Sequence, residues 1–190
     1  MPDVFVIGGP NGAGKTSWSL RYLQPALRIR EFVNADEIAR GLSPLNPEGA
    51  AFAAGRLLIE RIRFLVETGQ SFAFETTCAG RTHVRLLQQC RAAGDRITLI
   101  FLWLPSVEAA EARVARRVSQ GGHNIPSPVI ARRYAAGLRN LRRRYLPLAD
   151  IALIYDNSDG CDLLVAEQRP GSAFLVHDKP RWNVIEKAAQ

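Results

Sequence analysis

The chain has 190 residues, 47% of them hydrophobic and 23% charged, the proportions of a globular protein rather than a disordered one. That length fits one domain, or one domain with a small extension, and is enough to bury a sizeable core. No stretch approaches the roughly 18 uninterrupted apolar residues of a membrane span, and the N-terminal MPDVFVIGG has no basic segment ahead of its apolar run, unlike a signal peptide. Three cysteines, at 78, 90 and 161, fall at no metal-ligand or redox spacing. They suit a reducing compartment, so the expected location is cytoplasmic.

In chain order, Val4 to Ile7 is a short apolar run ending in Gly8-Gly9 and reads as a buried strand. A helix is expected from Lys15 to about Leu23, then a weak strand at Phe32-Val33. Asn46-Pro47-Glu48 is a helix start, with Asn as the cap and Pro at the first helical position. That helix is predicted to run to Gly69, with Ala51, Ala54, Leu58, Ile62 and Leu65 on one face. Ser71 to Glu75 is a strand and Thr82 to Gly94 a helix. Ile97 to Leu104 is the most apolar strand and is expected at the centre. Helices follow from Ser106 to Gln120 and from Ser127 to Tyr145. Ile151 to Tyr155 is a strand, Leu163 to Gln168 with Ala173 to Val176 a terminal hairpin, and Trp182 to Ala189 a weak helix. Strands alternating with helices mean a parallel sheet covered on both faces, a three-layer α/β domain.

The net charge of +7 comes from 25 Lys+Arg against 18 Asp+Glu. Nine arginines (113, 116, 117, 132, 133, 139, 142, 143, 144) lie in one segment that contains no acid. Without that segment 16 basic residues face 18 acidic ones. The excess is therefore local, and that region is built to face something anionic. Only three residues are lysine, at 15, 179 and 187.

Gly9-Pro10-Asn11-Gly12-Ala13-Gly14-Lys15-Thr16 fits G-x-x-x-x-G-K-[ST]. It follows a predicted strand and opens a predicted helix, the context this phosphate loop requires. Its glycines let backbone N–H groups turn inward around a β-phosphate, and the helix N-terminus adds positive potential. Lys15 can reach the β- and γ-phosphates, and the Thr16 hydroxyl can ligate Mg²⁺. Ser17 completes the candidate ATP-binding set. There is no N-K-x-D signature of a GTPase. Val118 to Gly122 echoes the L-S-G-G-Q of ABC ATPases in the wrong order.

Asp36, just past the second strand, belongs on the carboxyl edge of the sheet beside the phosphate loop, where ligands of α/β sheets bind. There it can accept the proton of an acceptor hydroxyl, or simply cap the next helix. Glu75 ends the third strand, where an acid orders Mg²⁺ or its waters, or caps a loop. Thr76, Thr77 and Arg81 can hold an acceptor or cap the helix from Thr82. Arg113, Arg116 and Arg117 share one helix face at i, i+3 and i+4. Arg116 and Arg132 are the preferred donors to phosphate, whereas Arg139, Arg142, Arg143 and Arg144 read as a solvated face. His123, between Gly-Gly and Asn, suits a lid hinge or tip. The three cysteines read as inert and the tryptophans as packing residues.

GGPNGAGKTS, VNADEIARGLSP, FETTCAGRTH and RRVSQGGHNIPSPVIARRYAAGLRNL, in that order, resemble the zeta toxin family of P-loop kinases. The likeness is greatest to its short, single-domain bacterial branch and runs from about Val4 to Asp156. It implies an adenylate-kinase-like P-loop NTPase fold that binds ATP and Mg²⁺ and phosphorylates a hydroxyl of UDP-N-acetylglucosamine, with a small antitoxin partner that blocks the nucleotide site. By position, Lys15 and Thr16 match the phosphate and Mg²⁺ residues, and Asp36 the catalytic base. Glu75, Thr77 and Arg81 match the acceptor-side strand end. Arg113 or Arg116, with a second arginine further on, matches the lid. The segment ETTCAGR is longer than the family's E-x-T-x-R, and nothing after Asp159 matches. The resulting expectation is one domain over 1–190, with a helical, Arg-rich lid over about 107–145 and a C-terminal extension over 160–190. Two other readings stay open: a nucleic-acid-directed P-loop kinase or ATPase, motivated by the arginine segment, and a non-catalytic partner protein.

Overall fold

One sheet of seven strands organises the chain, in the order β2-β3-β1-β4-β5-β6-β7. The computed structural model describes residues 1–122, 124–160 and 162–190; the readings given above for His123 and Cys161 lie outside them. The strands are β1 (Asp3–Gly8), β2 (Glu31–Val33), β3 (Phe72–Thr76), β4 (Arg96–Trp103), β5 (Ile151–Asp156), β6 (Leu163–Gln168) and β7 (Leu175–Val176). The helices are α1 (Lys15–Tyr22), α2 (Ala35–Leu42), α3 (Pro47–Glu67), α4 (Thr82–Ala92), α5 (Val107–Ser119), α6 (Ser127–Asn140) and α7 (Lys179–Ala188).

The first five strands are parallel, as expected from their alternation with helices. β6 and β7 run antiparallel to each other, as the expected terminal hairpin, and β6 is also antiparallel to β5, which makes the sheet mixed. The reason is the connection: only residues 157–162 separate β5 from β6, and a parallel return needs a crossover of about a dozen residues or more. β4 is central, and every residue from Ile97 to Trp103 is buried. A strand buried on both faces has helices on both sides. The chain steps one way along the sheet from β1 to β2 and the other way from β3 to β4, so right-handed crossovers place α1 and α4 on opposite faces.

α3 presents Ala54, Leu58, Ile62 and Leu65 to the core, the face its periodicity predicts, except that Ala51 is exposed. Each such Leu or Ile contributes roughly 1.5–3 kcal/mol through burial. Asn46 caps it by accepting from the Gly49 N–H at 3.2 Å. α2 is an element the sequence reading lacked. The helix expected to continue to Tyr145 ends at Asn140 and widens into a π-helical turn over Leu141–Tyr145, with the Leu146 N–H donating to the Leu141 carbonyl.

Strand register positions the site. Gly8 of β1 pairs with Thr76 of β3 and Phe101 of β4, and Trp103 pairs with Asp156. The carboxyl ends of four strands therefore meet at one edge. β1 lies where the chain order reverses, the position at which α/β sheets open a ligand crevice.

Candidate active site

The phosphate loop joins β1 to α1 and is built on glycine. Gly9 has φ 144°, and a Cβ there would stand 2.3 Å from the Leu102 carbonyl oxygen. Gly12 has φ 79°, with a hypothetical Cβ 2.9 Å from the Ala110 carbonyl oxygen. Gly14, at φ 82°, precedes α1 in the left-handed region. At Gly9 and Gly12 neither the backbone conformation nor the space admits a side chain.

Lys15 opens α1 and folds back, its Nζ donating to the Gly9 and Pro10 carbonyls at 3.0 Å each. Burial pushes its ammonium below the ordinary lysine range, while Glu75 and Asp36 pull the other way and Arg117 adds to the lowering. Those three charges therefore converge on Lys15. Thr16 donates its hydroxyl to Glu75 Oε2 at 3.2 Å. The other oxygen, Glu75 Oε1, is buried with no hydrogen-bond partner among the described residues. A buried, unpartnered carboxylate oxygen beside a phosphate-loop threonine is the donor set that a hydrated divalent cation would satisfy.

Burial also raises the Glu75 pKa, against the lowering by Lys15 and by the Thr16 hydrogen bond. The folded chain thus binds this proton more readily than the unfolded chain, so the ionised carboxylate destabilises the ligand-free fold at neutral pH. Glu75→Gln is expected to raise Tm at pH 7, at roughly 2–4 °C for each kcal/mol recovered. The gain should shrink as pH falls toward the ordinary glutamate value of 4.5. A gain unchanged by acidification would contradict the assignment.

Asp36 is the second residue of α2 and is exposed. The cap is Asn34, whose Oδ1 accepts from the Asp36 N–H at 2.9 Å and the Glu37 N–H at 3.4 Å. Asp36 is therefore not spent on capping. One turn along α2, Arg40 lines an open groove of about 640 Å³ with Pro44, Pro47, Arg117 and Gln120 to Gly122. The groove runs between the α2–α3 connection and the end of α5.

The segment after β3 is tied to α6. Thr76 is buried; its hydroxyl accepts from the Cys78 N–H at 3.0 Å and lies 3.2 Å from His83 Nδ1. Cys78 has φ 58°, unusual for a residue with a side chain. Asn140 holds it there, donating to the carbonyls of Cys78 at 2.8 Å and Ala79 at 3.1 Å. Gly137 packs so closely that a Cβ would lie 2.6 Å from the Thr77 carbonyl oxygen. Burial pushes the Cys78 thiol up to about 12, which suppresses thiolate chemistry. Arg81 is exposed at the start of α4. Ser17 is exposed as well, whereas Asn11 is buried.

The nine arginines divide. Arg113 lies beside Gly12 and donates to the Asn157 and Ser158 carbonyls. Arg142 pairs with Glu186 at 3.0 Å and lies over the Trp182 ring, and Arg143 donates to the Gln190 carbonyl. Arg144 donates to Asn140 Oδ1 at 3.2 Å. Arg116 and Arg132 are exposed, and neither guanidinium has a hydrogen bond or ion pair among the described residues. Arg117, not Arg116, is the arginine whose charge reaches Lys15. Arg133, half-buried, is one helical turn from Gly137 and so shares the face that packs on Thr77. Residue spacing alone could not separate these neighbours; the docking of α5 and α6 does. Asn157 was also missed, because its partner lies at the other end of the chain.

Residues 4–143 match the family model for an AAA domain. The chain belongs to that family, and the phosphate loop, its Lys15 and the Glu75 strand end all lie within the matched span. An uncharacterized protein of Haemophilus influenzae is 32% identical over 127 residues, covering 66% of this chain and 88% of that one. Among solved structures, the PezAT chromosomal toxin–antitoxin system of Streptococcus pneumoniae is similar with a TM-score of 0.69 at 15% identity, over 99% of this chain and 86% of that one. The AvrRxo1-ORF1:-ORF2 complex with ATP gives a TM-score of 0.75 at 17% identity, over 100% of this chain and 64% of that one. These likenesses establish a three-layer α/β P-loop NTPase fold. No helix among the described residues is long and apolar enough to cross a membrane.

Proposed function

We propose that this AAA-domain chain is an ATP-dependent kinase, a phosphotransferase with an alcohol acceptor, acting on a sugar hydroxyl, with UDP-N-acetylglucosamine the first acceptor to test. The observation that carries the reading is the convergence of Lys15, Thr16, Glu75 and Asp36 at one sheet edge. A simple phosphate-binding protein has no need of an uncapped, exposed carboxylate beside the loop. The AvrRxo1 complex, which shares the fold, was solved with ATP, and that supports ATP as the donor.

In this reading the Gly9 to Ser17 loop cradles the phosphates with its backbone N–H groups, which Pro10 alone lacks, and Lys15 leaves the Gly9 and Pro10 carbonyls to meet the β- and γ-oxygens. Thr16 and Glu75 would hold Mg²⁺, directly or through its waters, and the ion would neutralise charge on the phosphates when bound. Asp36 accepts the proton of the acceptor hydroxyl. The freed oxygen attacks the γ-phosphorus while the bond to the β–γ bridging oxygen breaks, giving a phosphomonoester and ADP. Arg113, Arg116 and Arg117 on α5, with Arg132 on α6, form the lid of one domain over 1–190, and planar guanidinium groups there stabilise charge on the transferring phosphoryl. Thr76, Thr77 and Arg81 border the acceptor, Thr76 by holding the loop. Residues 160–190 complete the sheet as a C-terminal extension.

A small antitoxin is the proposed partner, supported by the family resemblance and by the fold shared with a chromosomal toxin–antitoxin system. Buried, unpaired Cys78 and Cys90 fit a cytoplasmic setting. A nucleic-acid-directed kinase is the second reading. Arg116, Arg132, Arg133 and Arg139 favour it, their guanidinium groups being without partners among the described residues, but Arg142, Arg143 and Arg144 are engaged within the chain.

ADP release with Mg²⁺ and ATP separates the readings. Stimulation by UDP-N-acetylglucosamine is the expected result. Stimulation by a 5′-hydroxyl oligoribonucleotide with no response to the sugar nucleotide would replace it with the second reading.

A further inference from the structure

Asn157 follows β5 directly, 144 positions from Ala13. The residue is 7% exposed, and its Nδ2 donates to the Ala13 carbonyl at 2.7 Å. A Cβ placed on Gly14 would stand 3.0 Å from the same nitrogen. Asn157 therefore packs against the last turn of the phosphate loop from behind. An anion cradle needs its N–H groups pointing inward and its carbonyls pointing away. An Ala13 carbonyl turned toward the phosphates would place a partial negative charge against them.

Asn157 is itself held on both sides. Its carbonyl accepts from Arg113 Nη1, whose side chain also reaches the Ser158 carbonyl at 3.5 Å. Asp156 accepts from the Ser158 N–H at 2.9 Å and pairs with Arg181 Nε at 2.7 Å. Arg181 pairs in turn with Asp178 at 2.6 Å, and Asp178 caps α7. The chain of contacts runs from the start of α7 to the back of the phosphate loop.

We propose that Asn157 is a positioning residue of the nucleotide site: its amide fixes the Ala13 carbonyl away from the phosphates and so keeps the loop amides convergent. This rests on reading the loop as a triphosphate site. It acts on phosphate, not on base, and that separates it from a base-recognition contact.

Calorimetric titration with ATP·Mg²⁺ and with inorganic tripolyphosphate tests it, on the wild type and on Asn157→Ala, Asn157→Ser and Asn157→Asp. Aspartate keeps the shape but cannot donate, and alanine removes the contact without adding charge. The expected result is a loss of about tenfold or more in affinity, about 1.4 kcal/mol, by the same factor for both ligands in the alanine and serine variants, with the thermal transition retained. Unchanged affinity in a folded alanine variant would overturn the proposal. So would a loss confined to ATP, or loss of the folding transition in all three variants, which would make Asn157 a stability residue. A wild type that binds neither ligand would overturn the triphosphate reading along with it.

Discussion

Lys15→Met is expected to lower ATP turnover by about 10²–10³-fold or more, the scale of losing one electrostatic contact to a reacting centre. The ammonium is buried at the start of α1, among Glu75, Asp36 and Arg117. Its present partners are two backbone carbonyls, Gly9 and Pro10, both at 3.0 Å. Methionine keeps most of the volume and removes the charge, so the loop loses those two bonds while the core packing stays. The stability cost should be modest, about 1 kcal/mol for each ordinary hydrogen bond, against a far larger effect on transfer. Lys15→Arg should not rescue. Its guanidinium is a planar fork rather than a compact point charge, and the loop encloses Lys15 closely. In a chain with 22 arginines and three lysines, lysine at this position points to a site that a guanidinium does not fit. Turnover within tenfold of wild type in either variant would contradict the role. The measurement is initial-rate ADP formation, with the circular dichroism melt as the control for folding.

Asp36→Asn is expected to reduce acceptor-dependent turnover by about 10²–10⁴-fold, the range for loss of a general base. ATP affinity and Tm should hardly move. The capping work belongs to Asn34, and Asp36 is exposed, so only a favourable charge at the helix start is lost, about 0.3–1 kcal/mol. The effect must therefore appear in kcat rather than in ATP binding. A comparable fall in Asn34→Ala would arise differently: α2 loses its cap and Asp36 its position, with a fall in Tm alongside. An Asp36→Asn protein with wild-type turnover would remove Asp36 from the chemistry.

These expectations draw on what was legible in the chain and on what was not. The phosphate loop could be read directly, because its geometry is local: a strand, glycines at positive φ and a helix start lie within a few residues. The strand end at Glu75 and the one just ahead of Asp36 were also readable, since short apolar runs stop abruptly at polar residues. α2 was not, because it spans only eight residues and its cap Asn34 also reads as the end of a strand. The parallel reading held for five strands and the terminal hairpin formed, so it was only the antiparallel joint of β5 to β6 that depended on the length of one connection. The arginine segment was legible as a charge and not as a set of roles. Arg116 and Arg117 are chain neighbours, yet only Arg117 borders the groove and acts on Lys15, and that depends on how α5 docks. Arg142 and Arg143 are exposed, as a solvated face should be, and they also tie down the chain's end, Arg142 at Glu186 of α7 and Arg143 at Gln190 just past it. Asn157 gave no signal, because a contact across 144 positions leaves no local pattern.

The most direct test of the kinase reading is phosphorus NMR of the products formed from ATP, Mg²⁺ and UDP-N-acetylglucosamine by the purified chain, with Asp36→Asn in parallel. The account predicts a new phosphomonoester resonance on the sugar nucleotide alongside ADP, absent with the variant. Inorganic phosphate as the only new phosphorus product besides ADP, at equal rates with and without the sugar nucleotide, would contradict it.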